Sequence, residues 1–492
     1  MASIAPGLVD PRGWLERIWS SVADRGRAYA DVPAASLPPL DRARRLAETL
    51  LSERGEASGA AVARALQDTL ASLGAEERLG FYRFIAEGFT PDVERLRAAA
   101  EAWLASPDAA TAARLADAAE PPRQELLRRM NHCPGGTAAL VGMRKELLGL
   151  LRAQCDLRPL DADLRHLFAS WFNRGFLELR RIDWQTPAAV LEKLIDYEAV
   201  HEIQGWDDLR RRLAADRRCF AFFHPALPGE PLIFVEVALV EGMAAAVQPL
   251  LSRDSRNGGR GGDAARADTA IFYSISNCQE GLRGISFGNF LIKQVVEELK
   301  AELPQLTRFA TLSPVPGFRR WLERCLAAPP EEGAFLPEEA AALTAAAGVA
   351  EPVEAFQALT AEGWPDDPAR EAALRPVLLR LAAAYLTRPN AGMGGIDPVA
   401  RFHLGNGAQL ERVNWLGNRA ARGLQESYGI MVNYLYDREA IEANHEAFIR
   451  SGQVARSPAV EVLLTPPRPA PAGRFALGRL LGGEERGAAK AG

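Results

Sequence analysis

The segment that most limits how this chain can fold runs from Thr269 to Leu312. Thr269–Ser276 (TAIFYSIS) has the β-branched and aromatic content of a buried strand. The loop Asn277–Gly284 follows, and Phe290–Leu303 then spaces its apolar residues as a helix does, before a second short strand at Phe309–Leu312. Arg283-Gly284-Ile285-Ser286-Phe287-Gly288 opens the helix. Glycines let a diphosphate approach the backbone. The unpaired N–H groups of a first helical turn, at the positive end of the dipole, attract anions. Taken alone, the same residues suit a plain tight β-to-α turn equally well, and both readings stay open on this segment.

The rest of the chain sets this unit in context. Residues 1 to about 175 read as helix after helix, an all-α bundle. Thr90-Pro91-Asp92 and Ser106-Pro107-Asp108 each offer a capping side chain, a proline for the first helical position and an acid for the first turn. After the first of them Val93, Leu96, Ala100, Trp103 and Leu104 share one helical face, expected to pack inward. No ligand constellation stands out here, so packing or subunit contact is the expected role. Strand character begins after Ile182-Asp183-Trp184: helices are expected near Ala188–Ile195 and Trp206–Leu213, and strands at Cys219–His224 and Pro231–Glu241. Residues 252–268, with four glycines and no apolar run, read as a loop. Residues 325–390 return to alanine-rich helix, as an insertion would. Gly429–Tyr436 reads as a core strand, and the Pro- and Gly-rich stretch after Arg456 as a floppy end. The expected architecture is α+β: a helical bundle over 1–175, a mixed α/β domain over 176–460 interrupted by the helical insertion, and a tail over 461–492.

Composition narrows the function classes. A chain of 492 residues exceeds one ordinary core, so two or three domains are expected. A net charge of −5 gives no concentrated positive field for nucleic acid or an anionic membrane, and neither is expected as a partner. Five dispersed cysteines (Cys133, Cys155, Cys219, Cys278, Cys325) form no CxxC pair, which argues against disulfides or a thiolate zinc site and for a reducing compartment. Charged residues interrupt Met1–Arg25, and the C-terminus carries no Ser-Lys-Leu, so a cytoplasmic protein is expected. His132, His166, His201, His224 and His445 show no metal-ligand spacing and read as structural.

Four ordered strings make the reading specific: FYSISNCQEGLRGISFGNFLIK, TLSPVPGFRRWL, DPVARFHLGNGAQLERVNW and YGIMVNYLYD. The strand, R-G-x-x-x-G and helix resemble the acyl-CoA pyrophosphate loop of the N-acetyltransferase-like (GNAT) fold, with Ser286 where that pattern has its first glycine and Gly288 at the second. All four strings, over roughly residues 272–437, resemble the successive motifs of malonyl-CoA decarboxylases. The resemblance implies a GNAT-like catalytic domain and a pyrophosphate loop over Arg283, Gly284, Ile285, Ser286, Phe287, Gly288 and Asn289. It implies Ser313 and His403 as the catalytic pair, with Tyr436 near them. Some members of the family carry glutamate at the position of Ser286, and any role for that carboxylate is open here.

The chemistry can also be reasoned from the reaction. Losing CO2 from a malonyl thioester leaves an enolate, so a site must offer donors to the thioester oxygen, keep the carboxylate out of water and return a proton to the α-carbon. The thioester accepts the electrons, so no metal or cofactor is expected beyond the CoA of malonyl-CoA and acetyl-CoA. A histidine with a pKa near 6.5 suits the proton delivery, a serine hydroxyl the carboxylate, and Asn406 with the amides of Gly405–Gly407 the enolate oxygen. Each residue has a plainer reading: Ser313 before Pro314 as a helix-entry cap, His403 as a core histidine, Tyr436 as a core tyrosine. The competing functions are an acyl-CoA N-acyltransferase and a non-catalytic acyl-CoA sensor. A homo-oligomer, dimer or tetramer, acting in fatty acid metabolism completes the expectation.

Overall fold

A computed structural model describes residues 37–52, 54–252, 264–285, 291–327, 334–387 and 397–465. Helices Pro39–Leu51, Arg54–Ser72, Ala75–Gly88, Val93–Ala105, Ala109–Ala119, Pro122–Asn131, Gly136–Leu150 and Arg158–Trp171 precede the first strand. The core of this part holds Leu46, Leu50, Leu66, Phe81, Ile85, Leu126, Leu127, Leu140, Leu164 and Phe168. Two helices depart from expectation. In Val93–Ala105 no residue is buried: of the stripe expected to pack inward, Val93, Trp103 and Leu104 are exposed and Leu96 and Ala100 only partly covered. This helix packs chiefly on Ala109–Ala119, which itself buries only Thr111 and Ala118. The caps also lie two residues later than read: Asp92 accepts from the amide of Arg95 and Asp108 from that of Thr111, both at 2.8 Å, leaving the prolines outside the helices.

One mixed sheet organises the second part. Its strands are β1 Glu178–Ile182, β2 Arg217–Phe223, β3 Pro231–Val240, β4 Thr269–Asn277, β5 Arg308–Thr311, β6 Ser313–Pro314, β7 Gln409–Asn414 and β8 Met431–Leu435. They lie in the order β1-β2-β3-β4-β5-β8-β6, with β7 also on β8. β2 and β3 are buried almost throughout because both faces are covered, the charged Arg217, Arg218 and Glu236 included. β4 and β5 pair in parallel, which requires a crossover, and helix Leu291–Glu302 supplies it. β1 (ELRRI), three of whose five residues are charged, is a strand the sequence reading did not mark.

Two features of this sheet position the site. β4 pairs with β3 out to Asn277 but with β5 only over Thr269–Phe272. β5 is paired with β4 along its whole length and ends at Thr311, so beyond Phe272, among the described residues, no strand pairs with that side of β4, and Ser313 stands just past the end of β5. The helical part also reaches the turn after β4. Arg144, almost fully buried, donates from Nη1 to the carbonyls of Gly281 (2.7 Å) and Arg283 (3.0 Å), and from Nε to Asp161 (2.8 Å). At Gly281 an added Cβ would lie 2.0 Å from the Val141 carbonyl oxygen, so only glycine admits this approach.

The stretch between β6 and β7 contains helices Phe318–Leu326, Pro337–Ala347, Pro352–Leu359, Pro368–Thr387 and Pro398–Gly405. Past Arg456, Pro458–Leu464 is a helix capped by Ser457, with Val460 buried, while the Pro- and Gly-rich run from residue 466 on, expected as a floppy end, lies outside the described residues. Among the described residues no helix is long and apolar enough to cross a membrane.

Candidate active site

Ser313 stands at the start of β6, paired with Val432 of β8, and not at a helix entry. His403 lies in the last turn of helix Pro398–Gly405, and Tyr436 follows β8 directly, its amide donating to Phe309 at 2.8 Å. The three side chains form one array: Ser313 Oγ is 3.1 Å from His403 Nε2, and His403 Nδ1 is 2.8 Å from the Tyr436 hydroxyl. All three are buried.

The hydrogen-bond directions follow from the neighbours. The Ser313 hydroxyl donates to Thr311 Oγ1 at 2.8 Å, which leaves Ser313 Oγ to accept from His403 Nε2–H. Nδ1 is then the acceptor for the Tyr436 hydroxyl, which burial keeps protonated by pushing its pKa well up. Thr311 Oγ1 also accepts from the Tyr434 amide, and the Tyr434 ring stacks on the imidazole with centroids 4.7 Å apart.

Burial pushes the His403 pKa down to about 3, so the imidazole of the free enzyme is neutral at pH 7. The reference pKa near 6.5 that the sequence reading used for proton delivery is thus not the value of His403 in the folded free enzyme. Expected donors to an enolate oxygen are corrected as well. The Asn406 side-chain amide donates to the Phe402 carbonyl at 2.6 Å, its backbone N–H goes to Phe402 and His403, and the Gly407 N–H goes to Leu404. These groups close the C-terminus of the helix that carries His403.

Of the expected pyrophosphate loop, Arg283, Gly284 and Ile285 follow the short turn Glu280–Leu282, and Gly284 has φ +79°. Ser286, Phe287, Gly288 and Asn289 lie outside the described residues. A cavity of about 350 Å³ opens beside Tyr436, lined by Lys293, Val296, Glu297, Arg438, Glu439 and Ile441. Among the described residues no three His, Cys, Asp or Glu side chains converge as a metal site. Sequence reasoning missed Thr311 and Tyr434, whose roles depend on strand pairing between β5, β6 and β8.

The malonyl-CoA decarboxylase C-terminal domain family matches residues 175–472, and the malonyl-CoA decarboxylase N-terminal domain family matches residues 89–172. The mitochondrial malonyl-CoA decarboxylase of Anser anser anser is 37% identical over 349 residues, 68% of each chain. The crystal structure of malonyl-CoA decarboxylase from Rhodopseudomonas palustris is 51% identical with a TM-score of 0.77, covering 86% of this chain and 99% of that one. That from Cupriavidus metallidurans is 40% identical with a TM-score of 0.67, over the same shares. On this similarity of sequence and of fold, the chain belongs to the malonyl-CoA decarboxylase family and is a carboxy-lyase.

Proposed function

We propose that the protein converts malonyl-CoA to acetyl-CoA and CO2, with Ser313, His403 and Tyr436 around the malonyl group. The observation that carries this reading is the buried hydroxyl–imidazole–phenol array just past the end of β5, where its pairing with β4 stops. The unpaired side of β4 beyond Phe272 offers backbone groups to the amide-bearing arm of CoA, and the turn at Arg283–Ile285 leads to the helix start that receives its pyrophosphate. Ser313 holds the carboxylate. An anion brought this close raises a histidine's pKa, so substrate binding draws a proton from solvent onto His403. As CO2 leaves, its bonding pair passes into the thioester enolate, and the imidazolium returns its proton to the α-carbon, regenerating neutral His403. The Tyr436 hydroxyl fixes the ring through Nδ1.

A thiol assay run beside CO2 release tests the reaction. Decarboxylation yields CO2 and acetyl-CoA with no free thiol. Acyl transfer to an amine would free CoA, and a sensor would do neither.

Oligomerisation belongs to the same proposal. Helices of 13 and 11 residues are marginal in water without tertiary packing. The hairpin Val93–Ala119 buries little within its own chain, and its outward Val93, Trp103 and Leu104 fit a contact with a second copy. The free cysteines suit a reducing compartment, the cytoplasm in our reading, and the substrate implies fatty acid metabolism.

A further inference from the structure

We infer that Asp397 is a positioning residue that sets the Ser313–His403 distance by tying together the two chain segments that carry them; this rests on the reading of that pair given above. The carboxylate is 1% exposed, and both its oxygens are occupied. Oδ1 accepts from the amides of Val399 (2.9 Å) and Ala400 (3.3 Å), capping the helix whose last turn holds His403. Oδ2 accepts from the amide of Gly317 at 3.0 Å, four residues beyond Ser313, and from the Tyr385 hydroxyl at 3.3 Å. Capping alone needs one oxygen. The second reaches 80 residues back along the chain to the loop that leaves Ser313.

The junction is built to closest packing. A Cβ at Gly317 would lie 2.3 Å from the Tyr385 hydroxyl and 3.1 Å from Asp397 Oδ2, so glycine is required for the amide to meet the carboxylate. Tyr385 comes from helix Pro368–Thr387, which brings the helical stretch between β6 and β7 into the support of the site. Asp397 hydrogen-bonds neither the Ser313 nor the His403 side chain, and the low His403 pKa comes from burial. Its effect is therefore on geometry and not on the charge of the imidazole. A displacement of about 1 Å between cooperating groups costs on the order of 10²-fold in rate.

The test is steady-state kinetics of Asp397→Asn in the full chain. An asparagine presents one oxygen and one NH2, so it keeps the helix cap or the Gly317 bond but not both. We expect kcat to fall on the order of 10- to 100-fold with KM for malonyl-CoA nearly unchanged, and the loss to be mostly absent when Ser313 is already alanine. Gly317→Ala attacks the junction from its other side and should give the same kcat-selective loss, and adding Tyr385→Phe, which removes the clashing hydroxyl, should restore part of it. A cap of purely structural value predicts otherwise: a lower melting temperature, unchanged kcat per folded molecule and no rescue. That result overturns the inference. Ser313→Ala is measured in parallel. If it is impaired while Asp397→Asn and Gly317→Ala are not, the tie alone is wrong. If Ser313→Ala turns over at the parent rate, the underlying site reading fails and takes the inference with it.

Discussion

Ser313 Oγ lies 3.1 Å from His403 Nε2 although 90 residues separate them in sequence. The contact forms because β6 pairs with β8 on one side, while the helix ending at Gly405 lays its last turn over Tyr434 of that same β8. Its electrostatic setting is unusual for the proton donor we propose, since burial holds the imidazole of the free enzyme neutral.

That neutrality is measurable. With a folded pKa of about 3 against 6.5 for an unperturbed histidine, His403 binds more protons unfolded than folded in that interval. Its contribution to stability is therefore complete above about pH 6.5 and is lost as pH falls towards 3. In the free enzyme the His403 NMR resonances, assigned by difference against His403→Gln, should show no titration between about pH 5 and 8. A decarboxylation-resistant malonyl analogue should raise the pKa into that window. A titration near 6.5 without ligand contradicts the buried neutral ring.

Tyr436→Phe removes the hydroxyl that bonds Nδ1 while keeping the ring in place. Freed from that bond, the imidazole can turn or change tautomer. We expect kcat to fall about tenfold or more with KM little altered, a smaller loss than removing His403 itself. Parent-level kcat in Tyr436→Phe would show that the phenol is only packing.

At the turn after β4, Gly284→Val forces a β-branched residue to φ +79° and should raise KM for malonyl-CoA strongly. Arg144→Met frees the carbonyls of Gly281 and Arg283 and leaves Asp161 without its partner. It should raise KM in the same direction and lower the melting temperature. Unchanged malonyl-CoA affinity in Gly284→Val would move the pyrophosphate elsewhere.

What was legible in the sequence followed local pattern. The boundaries of β3, β4 and helix Leu291–Glu302 emerged within a residue or so, because apolar runs and helical periodicity are written locally. β1 was missed because ELRRI lacks apolar alternation and owes its strand state to pairing with β2. Ser313, His403 and Tyr436 stood out through motif resemblance alone. Their plainer readings were equally consistent with local sequence, and the His403 pKa depends on burial that only tertiary structure creates. Long-range polar pairs were invisible for the same reason. Arg144 meets Gly281 across 137 residues. Glu236, on the other face of β3 from Val235, is pushed up to about 8 by burial and bonds Arg212 at 2.6 Å. Asp397-Pro398 did carry a local signal, the cap-and-proline start sought in the helical part.

The outward face of Val93–Ala105 gives a prediction about assembly. Trp103→Glu with Leu104→Glu places two charges on it and should reduce the mass measured by light scattering to that of a smaller species, leaving the far-ultraviolet circular dichroism of the rest intact. A parent protein and variant of identical mass would remove this hairpin from the subunit contact.

The most direct test of the central claim is a double-mutant cycle on kcat for malonyl-CoA decarboxylation. Ser313→Ala and His403→Ala should each lower kcat by on the order of 10²-fold or more, with KM little changed. The double variant should be far less impaired than the product of the two losses, since both groups serve one step. Fully multiplicative losses, or a His403→Ala enzyme turning over at near the parent rate, would contradict the account.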